Sequence, residues 1–456
     1  MRKLALSLCL ATSLNVAASQ ESHNIIMVVA DGMGPAFTTG YRYFNDDKST
    51  EQVEQTIFDK YQIGSASTYP APVSGYVTDS AAGATALSTG IKSYNGAIAV
   101  DVNKQPIETV LERAKSYGMK TGAVVTSQVN HATPASYIVH NEHRRNYNDI
   151  ADSYFIDRIE GQFKFDVLLG GGWLYFIRDE RNLVEEFKQE NVQYIDKYQQ
   201  LSSLKKGKSA IGLFAEKGLP WALDDKNPHR LSALTNTATK LLDNSHGYFL
   251  LIEASQVDWA GHANDIASAM AEMDDLAKTM ELLEGYVANN PNTTVILTAD
   301  HSTGGLTLAA KGKYVWQPDI LKLQKHSAEA ITKQLITNEI SPSLTNQLFN
   351  FELTKQEVND LIIAKLKSEE QIAIYNALSS EQKKSAKKPR PNRIVGKAVT
   401  HIIDTRTNTG WTSGGHTAID VPVIALGKHA EMFAGHQDNT DIAKKVFKLL
   451  EQYRQH

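Results

Sequence analysis

Ile25-Ile26-Met27-Val28-Val29-Ala30-Asp31-Gly32 is an uninterrupted apolar run that stops at a carboxylate and a glycine. A run apolar at every position, not only at alternate ones, predicts a strand covered on both faces, the habit of parallel sheets. The same grammar recurs in Gly122-Ala123-Val124-Val125-Thr126, Phe165-Asp166-Val167-Leu168-Leu169, Tyr248-Phe249-Leu250-Leu251-Ile252, Thr294-Val295-Ile296-Leu297-Thr298 and Val421-Pro422-Val423-Ile424-Ala425-Leu426. Amphipathic helical stretches such as Pro106–Tyr117 fall between them. Strands alternating with helices require right-handed crossovers, so the fold class is α/β, with a central, mainly parallel sheet and helices on both faces. Sheets of that kind carry their sites at the carboxyl ends of the strands.

Carboxylates and imidazoles gather at those ends. Asp31 follows the first run, Glu253 ends the Tyr248 run, and Asp258-Trp259-Ala260-Gly261-His262 comes next. Asp300-His301 ends the Thr294 run ahead of Gly304-Gly305, and His416 lies just before the Val421 run. Asp258 and His262, four apart, face one point on a helical turn. With His416 arriving from elsewhere they make three ligands for zinc and leave a fourth position open, as catalytic sites do. Asp300 and His301 point to opposite faces of a strand and converge only where it ends. Taken singly, each such carboxylate or histidine also reads as a cap, a turn residue or a hydrogen-bonded structural group.

Thr78-Asp79-Ser80-Ala81-Ala82-Gly83-Ala84-Thr85-Ala86 places Ser80 at the N-terminus of a helix of small residues, where free N–H groups favour an anion such as phosphate. Asp79 or Ser80 as a plain helix cap is the bland alternative. Near Ser80 there is neither a Gly-x-Ser-x-Gly elbow nor a histidine, so a bound metal is the expected activator of its hydroxyl. His131-Ala132-Thr133-Pro134 follows the Val124 run, with Arg144 and Arg145 further on; a guanidinium grips two phosphate oxygens at once, but spacing alone leaves the choice between the two open.

The rest of the chain narrows the class. Its 456 residues are 42% hydrophobic and 21% charged, the balance of an ordinary globular protein. A formal charge of −4 and no dense basic block with a nucleic-acid motif argue against DNA or RNA binding. Met1-Arg2-Lys3, the apolar Leu4–Leu14 and Val16-Ala17-Ala18 read as a secretory signal peptide over residues 1–18, so the protein is expected to be exported, periplasmic or secreted. Its removal takes Arg2, Lys3 and Cys9, the only cysteine, leaving a charge of −6 and no disulfide. No later segment suits a membrane span. Residues 19–456 read as one catalytic domain with a polar, helix-forming insertion at about 320–393, which caps one end of the sheet. Its basic run Lys383–Pro391 reads as solvated surface. Residues 173–245 form a smaller excursion around one strand, Ser209–Phe214.

Together these segments resemble the alkaline phosphatase family, in family order from residue 24 to 426. The resemblance implies hydrolysis of phosphate monoesters through a phosphoserine at Ser80, with Arg144 on the phosphate. It implies Asp258, His262 and His416 on one Zn2+, Asp31, Asp300 and His301 on a second, and Asp31, Thr133 and Glu253 on a third ion, Mg2+. His131 and Trp259 stand where some relatives carry Asp and Lys, which implies a third site of altered affinity. Family habit implies a homodimer. The chain lacks the Cys/Ser-x-Pro-x-Arg context of a sulfatase around Ser80. A phosphodiesterase would lack the third metal site, and a non-catalytic binding protein would lack Ser80 or Arg144.

Overall fold

The apolar runs form the middle of a ten-stranded sheet. The computed structural model describes residues 22–454, so the segment read as a signal peptide lies outside the described residues. The strands are β1 (Asn24–Val29), β2 (Gln62–Ser67), β3 (Lys120–Gln128), β4 (Val167–Gly171), β5 (Gln193–Ile195), β6 (Ala210–Leu213), β7 (Tyr248–Glu253), β8 (Thr293–Thr298), β9 (Val421–Gly427) and β10 (Gly435–Asp438). Their spatial order is β10-β2-β9-β8-β1-β7-β3-β4-β6-β5. Neighbours are parallel except around β9, which runs against both β8 and β2. The expected mainly parallel sheet is therefore present, with one reversed strand. The excursion at 173–245 contributes two strands, β5 and β6, where the sequence suggested one.

Both faces are covered. Gly122 of β3 is in register with Leu250 of β7 and so shares its side of the sheet. A Cβ on Gly122 would lie 3.1 Å from Leu242 of helix Arg230–Leu242. The preceding residue of β7, Phe249, points the other way and stacks on Tyr137 of helix Ala132–Ile138, ring centroids 6.1 Å apart. β1, β7 and β8 are buried at nearly every position, which is why their sequence shows no polar alternation.

The polar stretch after residue 320 folds into helices Ala328–Thr337, Pro342–Phe349, Lys355–Ala377, Ser380–Ser385 and Pro391–Thr407. It is tied to the site end of the sheet by Asp265, which follows helix Gln256–Ala263 and accepts from the Ala328 N–H at 2.9 Å. Among the described residues no helix is long and apolar enough to cross a membrane.

Candidate metal and active site

The four adjacent strands β8, β1, β7 and β3 end on one side of the sheet and each delivers polar groups there. β1 runs into Asp31, β7 ends at Glu253 and leads to Asp258 and His262 on helix Gln256–Ala263, and β8 runs into Asp300 and His301. β3 leads to His131 and to Thr133 in the first turn of helix Ala132–Ile138. His416 reaches the same place because β9 is reversed, so its beginning lies where the others end. A two-residue ladder then pairs His416 with Thr303 and Thr417 with Ser302, setting the His416 ring on His301 with centroids 3.6 Å apart.

Ligand atoms of Asp258, His262 and His416 all lie within 4.8 Å of one another, as do those of Asp31, Asp258 and His301, and those of Asp31, His131 and Glu253. In the first group Nδ1 of His262 meets the Gly414 carbonyl and Nδ1 of His416 the Thr78 carbonyl, each at 2.8 Å. A carbonyl only accepts, so both Nδ1 atoms carry the hydrogen and both Nε2 atoms present lone pairs. Those two Nε2 atoms are 3.1 Å apart, with Asp258 carboxylate oxygens 3.4 Å and 3.7 Å away. The two Nε2 lone pairs and the nearby Asp258 carboxylate repel one another until a cation sits among them.

The second group is fully buried. Thr303 donates its hydroxyl hydrogen to Asp258 at 2.5 Å, so its oxygen accepts from His301 Nδ1 at 3.2 Å. His301 Nε2 again presents a lone pair, 3.2 Å from the Ser80 hydroxyl, 3.3 Å from Asp31 and 3.4 Å from Asp300. Both Asp31 oxygens and Oδ2 of Asp300 have no hydrogen-bond donor. Burial first, then Asp300, Asp258 and Glu253, raises the Asp31 carboxyl well above the usual range; burial likewise raises Asp300, with Asp258 adding to it. Burial, with His416 and His262 beside it, holds the His301 imidazole neutral. Buried carboxylates and neutral imidazoles without donors fit divalent cations.

The third group shares Asp31. Burial pushes Glu253 up to about 7 against the Ser127 hydroxyl, which donates to it at 3.0 Å. Thr133 lies beside Glu253, and Nδ1 of His131 is buried without a hydrogen-bond partner. His131 accepts from Arg144 through Nε2 at 3.4 Å, and burial, with Arg144 beside it, pulls its pKa down to about 3. Trp259 stands edge-on to His131, centroids 5.9 Å apart.

Ser80 opens helix Ser80–Thr89, every residue of which is buried. Its Oγ is 3.2 Å from His301 Nε2, so the histidine missing from the neighbouring sequence is supplied by β8. Asp79 is the cap. One of its oxygens accepts from the N–H groups of Ala82 and Gly96 at 3.0 Å, and the other takes Arg144 at 3.0 Å. Arg144 thus faces the site while Arg145 is exposed. All twelve residues singled out from the sequence meet at this end of the sheet. The reading missed the groups that orient them. Asp79 was visible only as a cap, Thr303 was not singled out, and the Thr78 and Gly414 carbonyls leave no side-chain signal.

The alkaline phosphatase family model matches residues 22–452. Alkaline phosphatase 3 of Bacillus subtilis is 42% identical over 436 residues, 94% of this chain and 89% of that protein. The repressible alkaline phosphatase of Saccharomyces cerevisiae is 30% identical, over 95% and 82% of the two chains. A solved cold-active alkaline phosphatase from a psychrophilic Shewanella superposes with a TM-score of 0.84 at 45% identity, over 94% of this chain and 99% of the other. The chain belongs to the alkaline phosphatase family, metal-dependent hydrolases of phosphoric monoesters.

Proposed function

We propose that this chain is an exported phosphomonoesterase that works through a phosphoserine at Ser80, with two Zn2+ and one Mg2+ bound. Asp258, His262 and His416 would hold the first zinc, and Asp31, Asp300 and His301 the second. Thr133 and Glu253 with Asp31 would hold magnesium, with His131 at its edge. Mixed imidazole and carboxylate donors suit zinc, and an oxygen-rich set suits magnesium. When bound, the ions lower the pKa of a neighbouring hydroxyl and neutralise charge on the attacking and leaving oxygens. The observation that carries the reading is Ser80 Oγ lying 3.2 Å from His301 in the middle of this donor set.

Ser80 Oγ attacks phosphorus, the P–O bond to the alcohol breaks, and the alcohol leaves on the side away from Ser80. Arg144, anchored by Asp79, donates to two nonbridging oxygens, and the N–H groups of Ser80 and Ala81, which the Asp79 cap leaves free, donate to the same phosphoryl group. Water then attacks the phosphoserine from the side the alcohol vacated, Ser80 departs, and two inversions retain configuration at phosphorus. Export is supported by the composition of residues 1–18, and a homodimer by the family resemblance; sedimentation measures the latter.

Monoester and diester hydrolysis by the wild type, Ser80→Ala and chelator-treated enzyme test the reading. We expect monoester turnover to exceed diester turnover and to fall by at least about 10³-fold in Ser80→Ala. Undiminished turnover in that variant contradicts the assignment.

A further inference from the structure

Ser80, His301, His416 and His262 stand in that order, linked by 3.2 Å from Ser80 to His301, a stacked ring pair, and 3.1 Å from His416 to His262. In an in-line displacement begun at Ser80, the alcohol portion of the substrate therefore emerges at the His262 end. A cavity of about 550 Å³ opens there, with His262 and Gly414 in its wall. Its opposite wall is the start of helix Pro391–Thr407 and carries Arg390, Arg393 and Lys397. All three are exposed, and none makes an ion pair with a described residue.

The acidic groups of this cavity do not neutralise them. Asp265 is buried and accepts from Ser268 and from the Ala328 N–H, and Glu329 is taken by Lys333 at 2.7 Å and by the Trp221 indole N–H at 2.9 Å. Three unpaired cations thus face the space into which the leaving group projects. A monoester with an uncharged alcohol makes no use of them.

The geometry points to a subsite for a second phosphate on the leaving group, so that bisphosphorylated or polyphosphorylated substrates are preferred over simple monoesters. This rests on the phosphoserine reading above, because that reading fixes which side the leaving group takes. The recognition is electrostatic and exposed, so it weakens with salt. The chemistry is unchanged. The P–O bond nearest Ser80 breaks, and the second phosphate leaves with the alcohol.

Glucose 1,6-bisphosphate against glucose 6-phosphate tests it, with the first phosphate released followed in the metal-loaded enzyme. For the wild type at low ionic strength we expect kcat/KM about tenfold higher for the bisphosphate, falling toward parity at about 0.5 M salt. Arg390→Ser/Arg393→Ser/Lys397→Ser is expected to lose most of that preference through KM, while Arg390→Lys/Arg393→Lys keeps it. Equal kcat/KM values for the two substrates in the wild type, or a preference that survives the triple serine variant, overturns the subsite while leaving the phosphatase reading intact. Failure to hydrolyse glucose 6-phosphate at all overturns the phosphatase reading, and the subsite with it.

Discussion

Asp79 shows how much of the site depends on residues that never touch the phosphorus. Its two oxygens divide the work, one holding the helix that starts at Ser80 and the other aiming Arg144. Asparagine caps a helix as well as aspartate, but it would turn an amide NH2 toward the guanidinium and could not hold it. Asp79→Asn should therefore keep the fold and raise the KM for a monoester, and the inhibition constant for inorganic phosphate, by about tenfold, the loss of one charge-assisted hydrogen bond. Steady-state kinetics with phosphate as competitor measure both, and unchanged constants would show that Arg144 is held by something else. At this scale the candidate metal ligands were legible because carboxylate and imidazole stood where apolar runs broke off. The residues alone left Arg144 and Arg145 open and only the family resemblance pointed to Arg144; in the fold, its ion pair with Asp79 tells the two apart. Thr303 was hidden because its role depends on two partners, Asp258 and His301, of which one is 45 residues away.

Helix Ser80–Thr89 is the element that sets Ser80 against the metal donors. Its residues are small so that it can lie fully buried, and Gly83 marks the tightest approach, since a Cβ there would come 2.9 Å from the Asp300 carbonyl oxygen. Backbone on both sides leaves no side chain to swing away. Gly83→Ala should push the helix from β8, cost about 1–3 kcal/mol of stability and lower kcat more than it changes KM. Denaturant unfolding beside steady-state kinetics checks this, and a fully active, equally stable variant would refute the packing argument. The central strands were legible from their unbroken apolar runs. β2, β5 and β10 were not, because Gln62-Ile63-Gly64-Ser65-Ala66-Ser67, Gln193-Tyr194-Ile195 and Gly435-His436-Gln437-Asp438 are short, polar or partly exposed segments toward the edges of the sheet. Nor does any residue of β9 announce its reversed direction. That reversal follows from pairing, and it explains why His416 precedes a strand whereas Asp31, Glu253 and Asp300 end or follow one.

For the whole molecule, the described residues contain no cysteine, so cohesion comes from the core and from the ions that quiet a buried cluster of carboxylates. Melting of the folded enzyme should be indifferent to reductant and fall by about 10 °C in chelator, the scale expected when a tightly bound ligand is stripped from the native state. Calorimetry with and without each reagent reads this directly, and a chelator-insensitive transition would mean that the carboxylates are satisfied some other way. Groups from β1, β3, β7, β8 and the approach to β9 are placed to seat a pair of divalent ions beside Ser80. Anomalous diffraction at the zinc edge from crystals of the zinc-loaded protein tests it most directly. Two strong peaks are expected about 4 Å apart, one among Asp258, His262 and His416 and one among Asp31, Asp300 and His301, with the Ser80 hydroxyl adjoining the second. Peaks located elsewhere, or a single ion with Ser80 turned away from it, would contradict it.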